Sequence, residues 1–302
     1  MWSFEELPKP VAFVFSGGVS LGAVQVGTLR AVLEYGIKPD LLIGSSVGAL
    51  NAAYISQGFS SERVEKLAEI WSGLQRSDVF GSFGIKRIVE IISQPTSISS
   101  PKALLHLIAK HVPSTYEALK IRVHIVATDY LSGKTVIFSE GNLWRNLLAS
   151  SAIPFVFPPI PIGDRYLMDG SVSANVPLLH AQEFGARTLV VFDVGYPCEV
   201  KELSQNPLER ILHVFSIMLH RQPAGMLAAL PEDILVLYIP TLCPLPVPAY
   251  DFSQGEFLIK TGYEVAKEFL ESLCIDTLRV YGRPHSHART DSDTCSTKAL
   301  EV

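Results

Sequence analysis

The hydrophobic pattern of this chain alternates between two periods. Residues 11–15 (VAFVF) form an unbroken apolar run of β-branched and aromatic side chains that stops at Ser16-Gly17-Gly18, the pattern of a buried strand ending in a tight loop. From Leu21 to Tyr35 the apolar positions recur at helical spacing (Leu21, Val24, Leu29, Val32, Leu33), and Gly36 followed by Pro39 closes the segment. Residues 40–43 repeat the strand signal. Gly44 and small residues then make a turn, and a new helix runs through Ala49, Leu50, Ala53 and Ile55. Two consecutive strand, turn, helix units with a short crossover imply a parallel pair with a right-handed connection. Both glycine turns are therefore expected at the carboxyl edge of one sheet.

Further along, residues 121–128 (IRVHIVAT) and 135–138 (TVIF) flank Ser132-Gly133-Lys134 and predict a hairpin or adjoining strands. Residues 187–194 (RTLVVFDV) read as another buried strand, preceded by a helix over 177–184, and residues 234–239 add a last strand. The alternation predicts a three-layer α/β/α architecture with a mostly parallel central sheet. Four prolines between Pro240 and Pro248 exclude regular structure there. Residues 257–273 predict an amphipathic helix despite the internal Gly262. The expectation is one domain over residues 1–275 and a polar, disordered tail over 282–302, in which His285 and His287 read as solvated residues rather than metal ligands. There is no internal repeat.

Composition narrows the function classes. With 302 residues, 48% hydrophobic and 18% charged, the chain has ample apolar material for a large core. The net charge of −5 supplies no basic field for a phosphate backbone, so nucleic acid is not an expected partner. Cys198, Cys243, Cys274 and Cys295 form no CxxC pair and have no histidine at zinc-ligand spacing, so they read as packed or free thiols in a reducing compartment, and neither metal nor cofactor is expected. The first ten residues lack the basic and apolar regions of a secretory signal, and no apolar stretch reaches the roughly 18 residues of a membrane span. A cytoplasmic protein, with peripheral contact to a membrane surface, is expected.

Candidate chemistry gathers at the two turns. Gly44-Ser45-Ser46-Val47-Gly48 fits G-x-S-x-G between a strand and a helix, where a strained turn presents a serine hydroxyl at a helix N-terminus that favours developing negative charge. Gly18-Val19-Ser20-Leu21-Gly22 fits the same pattern. Ser46 is favoured because residues 41–43 run straight into Gly44, whereas Ser16 and Gly17 intervene before the other match; Ser20 stays open. The Gly17-Gly18 loop is suited to aim backbone N–H groups at an oxyanion, or is simply a tight turn. No phosphate-binding G-x-x-x-x-G-K-[ST] is present, and SGGVSLG does not fit G-x-G-x-x-G. For the base, His180 and His213 lie in helix-like surroundings, while Asp169 opens a small-residue loop that ends at Asn175 and Pro177. Asp129 and Asp193 also end strands and keep a claim.

These features together resemble the patatin-like phospholipase family: the glycine loop from Ser16 to Gly22, the elbow from Gly44 to Gly48, the Val-Ala-Thr-Asp stretch ending at Asp129, the segment SSAIPFVFPP over 150–159, and Asp169-Gly170. The likeness spans about residues 10–195. It implies a patatin-like fold and a lipid acyl hydrolase working through an acyl-enzyme, with Ser46 as nucleophile, Asp169 as base and the Gly17, Gly18 and Val19 amides as oxyanion hole. Three positions depart from the family pattern. Val19 stands where a third glycine is usual and would be costly at positive φ, Leu21 replaces a basic residue, and Ser171 stands where glycine or alanine is common.

An acyl chain needs an apolar groove, for which residues 153–160, with Phe155 and Phe157, are one candidate and core packing the alternative. Residues 79–92, with Phe80, Phe83, Lys86 and Arg87, read as a lid or interfacial helix, or as an ordinary packed helix. The rivals to a lipid hydrolase are a soluble short-chain esterase or thioesterase with the same dyad, and a non-catalytic lipid-binding scaffold. An aspartate base is expected to stay active well below pH 6, unlike a histidine.

Overall fold

The computed structural model describes residues 4–81, 99–200, 202, 204–220, 222–275 and 279–285. Two strand and helix units come first: β1 (Val11–Phe15), α1 (Gly22–Glu34), β2 (Leu41–Ser45) and α2 (Val47–Ile55). The helices α3 (Ser61–Gly73), α4 (Arg76–Phe80) and α5 (Lys102–His111) precede β3 (Arg122–Asp129) and β4 (Thr135–Phe138). Then follow α6 (Leu143–Ser150), β5 (Ile160–Ile162), β6 (Arg165–Asp169), α7 (Ser171–Ala174), α8 (Leu178–Glu183) and β7 (Thr188–Phe192). The chain continues through α9 (Pro207–His220), α10 (Pro223–Ala228), β8 (Leu235–Ile239), α11 (Gly255–Ser272) and β9 (Val280–Tyr281).

The strands form one sheet in the order β5-β6-β3-β2-β1-β7-β8-β9, with β4 also paired to β3. From β3 through β2, β1, β7 and β8 to β9 every neighbour is parallel, while β4, β5 and β6 are antiparallel. β1 lies at the centre with all five residues buried, and its side chains divide by parity: Val11, Phe13 and Phe15 join one core, Ala12 and Val14 the other. That division makes three layers, because a strand covered on both faces must be apolar at every position. The predicted architecture is the one observed, including the β3–β4 hairpin and the buried strands β7 and β8.

Gly262, the irregular feature of the predicted long helix, has a packing cause. A Cβ there would lie 2.4 Å from the Val24 carbonyl, and one on Gly27 would lie 1.9 Å from the Ile259 carbonyl, so α1 and α11 cross with their backbones in contact.

The short strands were not predicted. β5 is an edge strand of three residues with Pro161 exposed, a position where a missing N–H costs nothing, and β9 contributes two residues beside β8. Residues 282–285 pack onto this edge, and His285 is half-buried against the rings of Tyr196 and His220 instead of solvated. Cys198 and Cys274 are free thiols as expected, but Cys243 is disulfide-bonded, which corrects its reading as a thiol. His287, Cys295 and the rest of the proposed tail lie outside the described residues, as do Phe83 and most of the proposed lid. Among the described residues, no helix is long and apolar enough to cross a membrane.

Candidate active site

The parallel strands β1 and β2 deliver the two glycine turns side by side. β2 enters its turn at Ser45, whose hydroxyl donates to the Ala174 carbonyl (2.6 Å). Ser46 then takes φ 54° and ψ −127°, outside the regions open to most residues, and α2 starts at the next position. Glycine is required behind it: a Cβ on Gly48 would meet the Ser16 carbonyl oxygen at 2.4 Å, and one on Gly17 would meet Ser46 Cβ at 3.0 Å. The glycine loop therefore lies directly against the serine.

Ser46 Oγ donates to Asp169 Oδ2 at 2.6 Å, joining residues 123 positions apart. β6 carries Asp169 to this point by pairing it with Ala127 of β3. The carboxylate is fully buried and held from several sides: Ser171 N–H donates to its Oδ1 (2.8 Å), its own N–H donates to the Ala152 carbonyl (3.0 Å), and Thr128 Oγ1 donates to its carbonyl (2.8 Å). Burial pushes its pKa up to about 6, against the opposing hydrogen bonds from Ser46 and Ser171. The shift moves the pH at which this carboxylate gains its proton upward from the ordinary carboxylate range, toward that of a histidine.

The other candidates are occupied elsewhere. Ser20 is almost fully buried, with its hydroxyl and N–H both donated to the Ala249 carbonyl (2.7 and 3.1 Å). Asp193 accepts from the Tyr238 hydroxyl (2.6 Å), and Asp129 accepts from Ser132 in its own turn. His180 pairs with Glu183, and His213 sits on α9.

The glycine loop departs from its expected role at one amide. Gly17 N–H donates to Asn175 Oδ1 (3.0 Å), so it is committed to the protein. The Gly18 and Val19 amides make no hydrogen bond to a described residue. Val19 does adopt φ 56°, the strained left-handed conformation feared for a β-branched side chain, and Leu21 is fully buried. A buried polar chain that the sequence reading missed anchors this loop. Trp71 Nε1 donates to Asn51 Oδ1 (3.0 Å), Asn51 Nδ2 donates to Gln25 Oε1 (2.8 Å), and Gln25 Nε2 donates to the carbonyls of Ser16 and Phe192 (2.8 and 2.9 Å). Polar residues at core-facing helix positions were the available signal.

Beside Ser46 opens a cavity of ≈ 100 Å³ between α2, α3, α4 and α5, walled by side chains such as Val19, Leu50, Trp71, Phe80, Leu104 and Phe157. Phe80 and Phe157 stack at 5.7 Å. Phe155, by contrast, is 77% exposed and stands outside the cavity. Among the described residues, one set has metal-ligand spacing: Cys198, Cys243 and His285, within 4.8 Å of one another at the edge formed by β7, β8 and β9. The disulfide at Cys243 withholds one of these ligands.

A family model described as Patatin-like phospholipase matches residues 13–181, over half of the chain and including both Ser46 and Asp169. The chain belongs to the patatin-like phospholipase family. Patatin-like phospholipase domain-containing protein 7 of Rattus norvegicus is 30% identical over 188 residues, covering 61% of this chain and 14% of that protein. Lysophospholipase nte1 of Aspergillus terreus is 25% identical over 187 residues, covering 62% of this chain and 12% of that protein. The chain thus spans a small part of the length of these relatives. Among solved structures, VipD from Legionella pneumophila superposes with a TM-score of 0.50 at 14% identity, covering 88% of this chain and 67% of that one, a likeness of fold.

Proposed function

We propose that this patatin-like chain is a serine acyl hydrolase that cleaves carboxylic esters of long-chain lipids, of the phospholipid or lysophospholipid type, through an acyl-enzyme. One observation carries the reading: the Ser46 hydroxyl donates to the buried Asp169 carboxylate at 2.6 Å, beside an apolar cavity. In the first half-reaction Ser46 Oγ attacks the ester carbonyl carbon while Asp169 Oδ2 takes its proton. The oxyanion forms next to the Gly18 and Val19 amides, which make no hydrogen bond to a described residue and take the charge-stabilising role sought for the loop in the sequence. The carbon–oxygen ester bond then breaks, and the alcohol departs with the proton held by Asp169. In the second half, water gives its proton to Asp169 as it attacks the acyl carbon; collapse returns that proton to Ser46 and frees the fatty acid.

The raised pKa suits this task. A carboxylate near its ordinary value is a poor match for a serine proton, and burial brings Asp169 closer to the working pH without a histidine. The cavity supports a long acyl group by its chemistry, since it opens beside Ser46 and its walls are mostly apolar. A short-chain esterase with the same dyad is the rival to be separated. With a series of p-nitrophenyl or lysophospholipid esters, kcat/KM is expected to rise with each methylene that enters the cavity, by about fourfold per buried CH₂ on a transfer value of about 0.8 kcal/mol. A profile that peaks at two to four carbons assigns the short-chain class instead.

A further inference from the structure

We propose that Ser150 is a positioning residue that keeps the nucleophile and the base in register. The inference rests on the dyad reading above and concerns a residue outside it. Ser46 is held in a strained conformation, and its N–H is a buried donor that α2 does not use, because that helix begins one residue later. The acceptor is Ser150 Oγ, at 2.9 Å, on a fully buried side chain.

The same short stretch of chain also grips the base. The Ser150 carbonyl accepts from Gly170 N–H (3.1 Å), and the Ala152 carbonyl two residues on accepts from Asp169 N–H (3.0 Å). One face of this joint thus binds the backbone of the nucleophile and the other binds the backbone of the base, although the two come from different strands. The joint is itself firm. Ser150 ends α6, whose start is capped by Asn142 accepting from Arg145 N–H (2.9 Å) and whose Leu143 and Leu147 are fully buried in the core. Ser150 touches no reacting atom. Its effect passes through the main chain of Ser46, whose φ and ψ decide where Oγ points.

A geometric coupling of this kind has a signature that ordinary destabilisation lacks. The Ser46 hydrogen bond lowers the Asp169 pKa against burial, so loosening Ser46 leaves burial less opposed and moves the acid limb of the rate profile upward. The test compares wild type, Ser150→Ala and Ser150→Thr by the rate of fluorophosphonate labelling from pH 5 to 8, with folding followed by circular dichroism. Ser150→Ala is expected to label 10- to 100-fold more slowly at pH 7.5, with its acid limb shifted upward and KM for a long-chain ester changed less than threefold. Ser150→Thr, which keeps the hydroxyl, is expected to regain most of the rate and the wild-type limb. If Ser150→Ala does not fold, Ser150→Cys replaces it, its thiol being a weak acceptor of similar size. A folded Ala or Cys variant within twofold of wild type with an unmoved acid limb overturns the proposal, as does a Thr variant as slow as Ala. A wild type that takes no label overturns the hydrolase reading itself, which separates the two failures.

Discussion

Two turns of this molecule carry the same five-residue pattern, and only one brings its serine to a carboxylate. The turn at Gly44–Gly48 leaves its serine at φ 54° with a carboxylate at 2.6 Å, while the turn at Gly18–Gly22 places Ser20 in a short 3-10 helix with its hydroxyl spent on the Ala249 carbonyl. The strained residue of the second turn is Val19, one position before the serine. In the first turn, strain presents a side chain. In the second it accompanies two backbone amides, of Gly18 and Val19, that make no hydrogen bond to a described residue. The pattern G-x-S-x-G thus specifies a close-packed strand-to-helix turn, and the partner reached across the sheet is what separates the two serines.

The comparison breaks most sharply at the base. Asp169→Asn is expected to lower kcat by about 10³-fold or more, because the amide oxygen can still accept from Ser171 N–H while its nitrogen only donates toward Ser46 and takes no proton. The same variant is expected to be more stable. The folded-state pKa of about 6 lies above the reference value of 3.8, so the folded state binds the proton more tightly, and stability falls as pH rises from about 4 to 6. The shift corresponds to roughly 3 kcal/mol at pH 8, and recovery of about 1–3 kcal/mol in urea unfolding at that pH is the expected outcome. Stability unchanged from wild type contradicts the assignment of a buried charge.

A second, intermediate effect is the pH dependence of wild-type kcat/KM. It is expected to fall about tenfold per unit below an acid limb near pH 6, because the protonated Asp169 cannot accept. A limb near pH 4 contradicts the burial argument. The difference between the turns is sharpened by Ser20→Ala, expected to cost no more than about fivefold in activity and about 1–2 kcal/mol in stability through the lost tie to Ala249. Smallest is Val19→Gly. Relief of roughly 1–2 kcal/mol of left-handed strain is offset by the loss of a buried side chain and the freer unfolded chain, for a net change within about 1 kcal/mol by calorimetry.

What was legible in the sequence divides along the same line. Elements dictated by local pattern, such as β1, β2 and their turns, appeared where the apolar runs and glycines placed them, since a buried parallel strand and a tight turn each leave a local imprint. Phe80 and Phe157 meet in the cavity wall, while Phe155, two residues from Phe157 in an apolar stretch, faces solvent; no period separates them in a segment broken by prolines. The hydrogen bonds of Asn175 to Gly17 and of Ser150 to Ser46 span 158 and 104 residues, so no local period marks these partners. The raised pKa of Asp169 was illegible for the same reason. The reference pKa belongs to the residue, but the shift belongs to the burial that the sheet imposes on it.

The most direct test of the central claim is to map the adduct left by a fluorophosphonate on the wild-type chain by peptide mass spectrometry, alongside Ser46→Ala. The phosphonyl group is expected on Ser46 alone, with no adduct on the variant. An adduct on Ser20, or labelling that persists in Ser46→Ala, contradicts it.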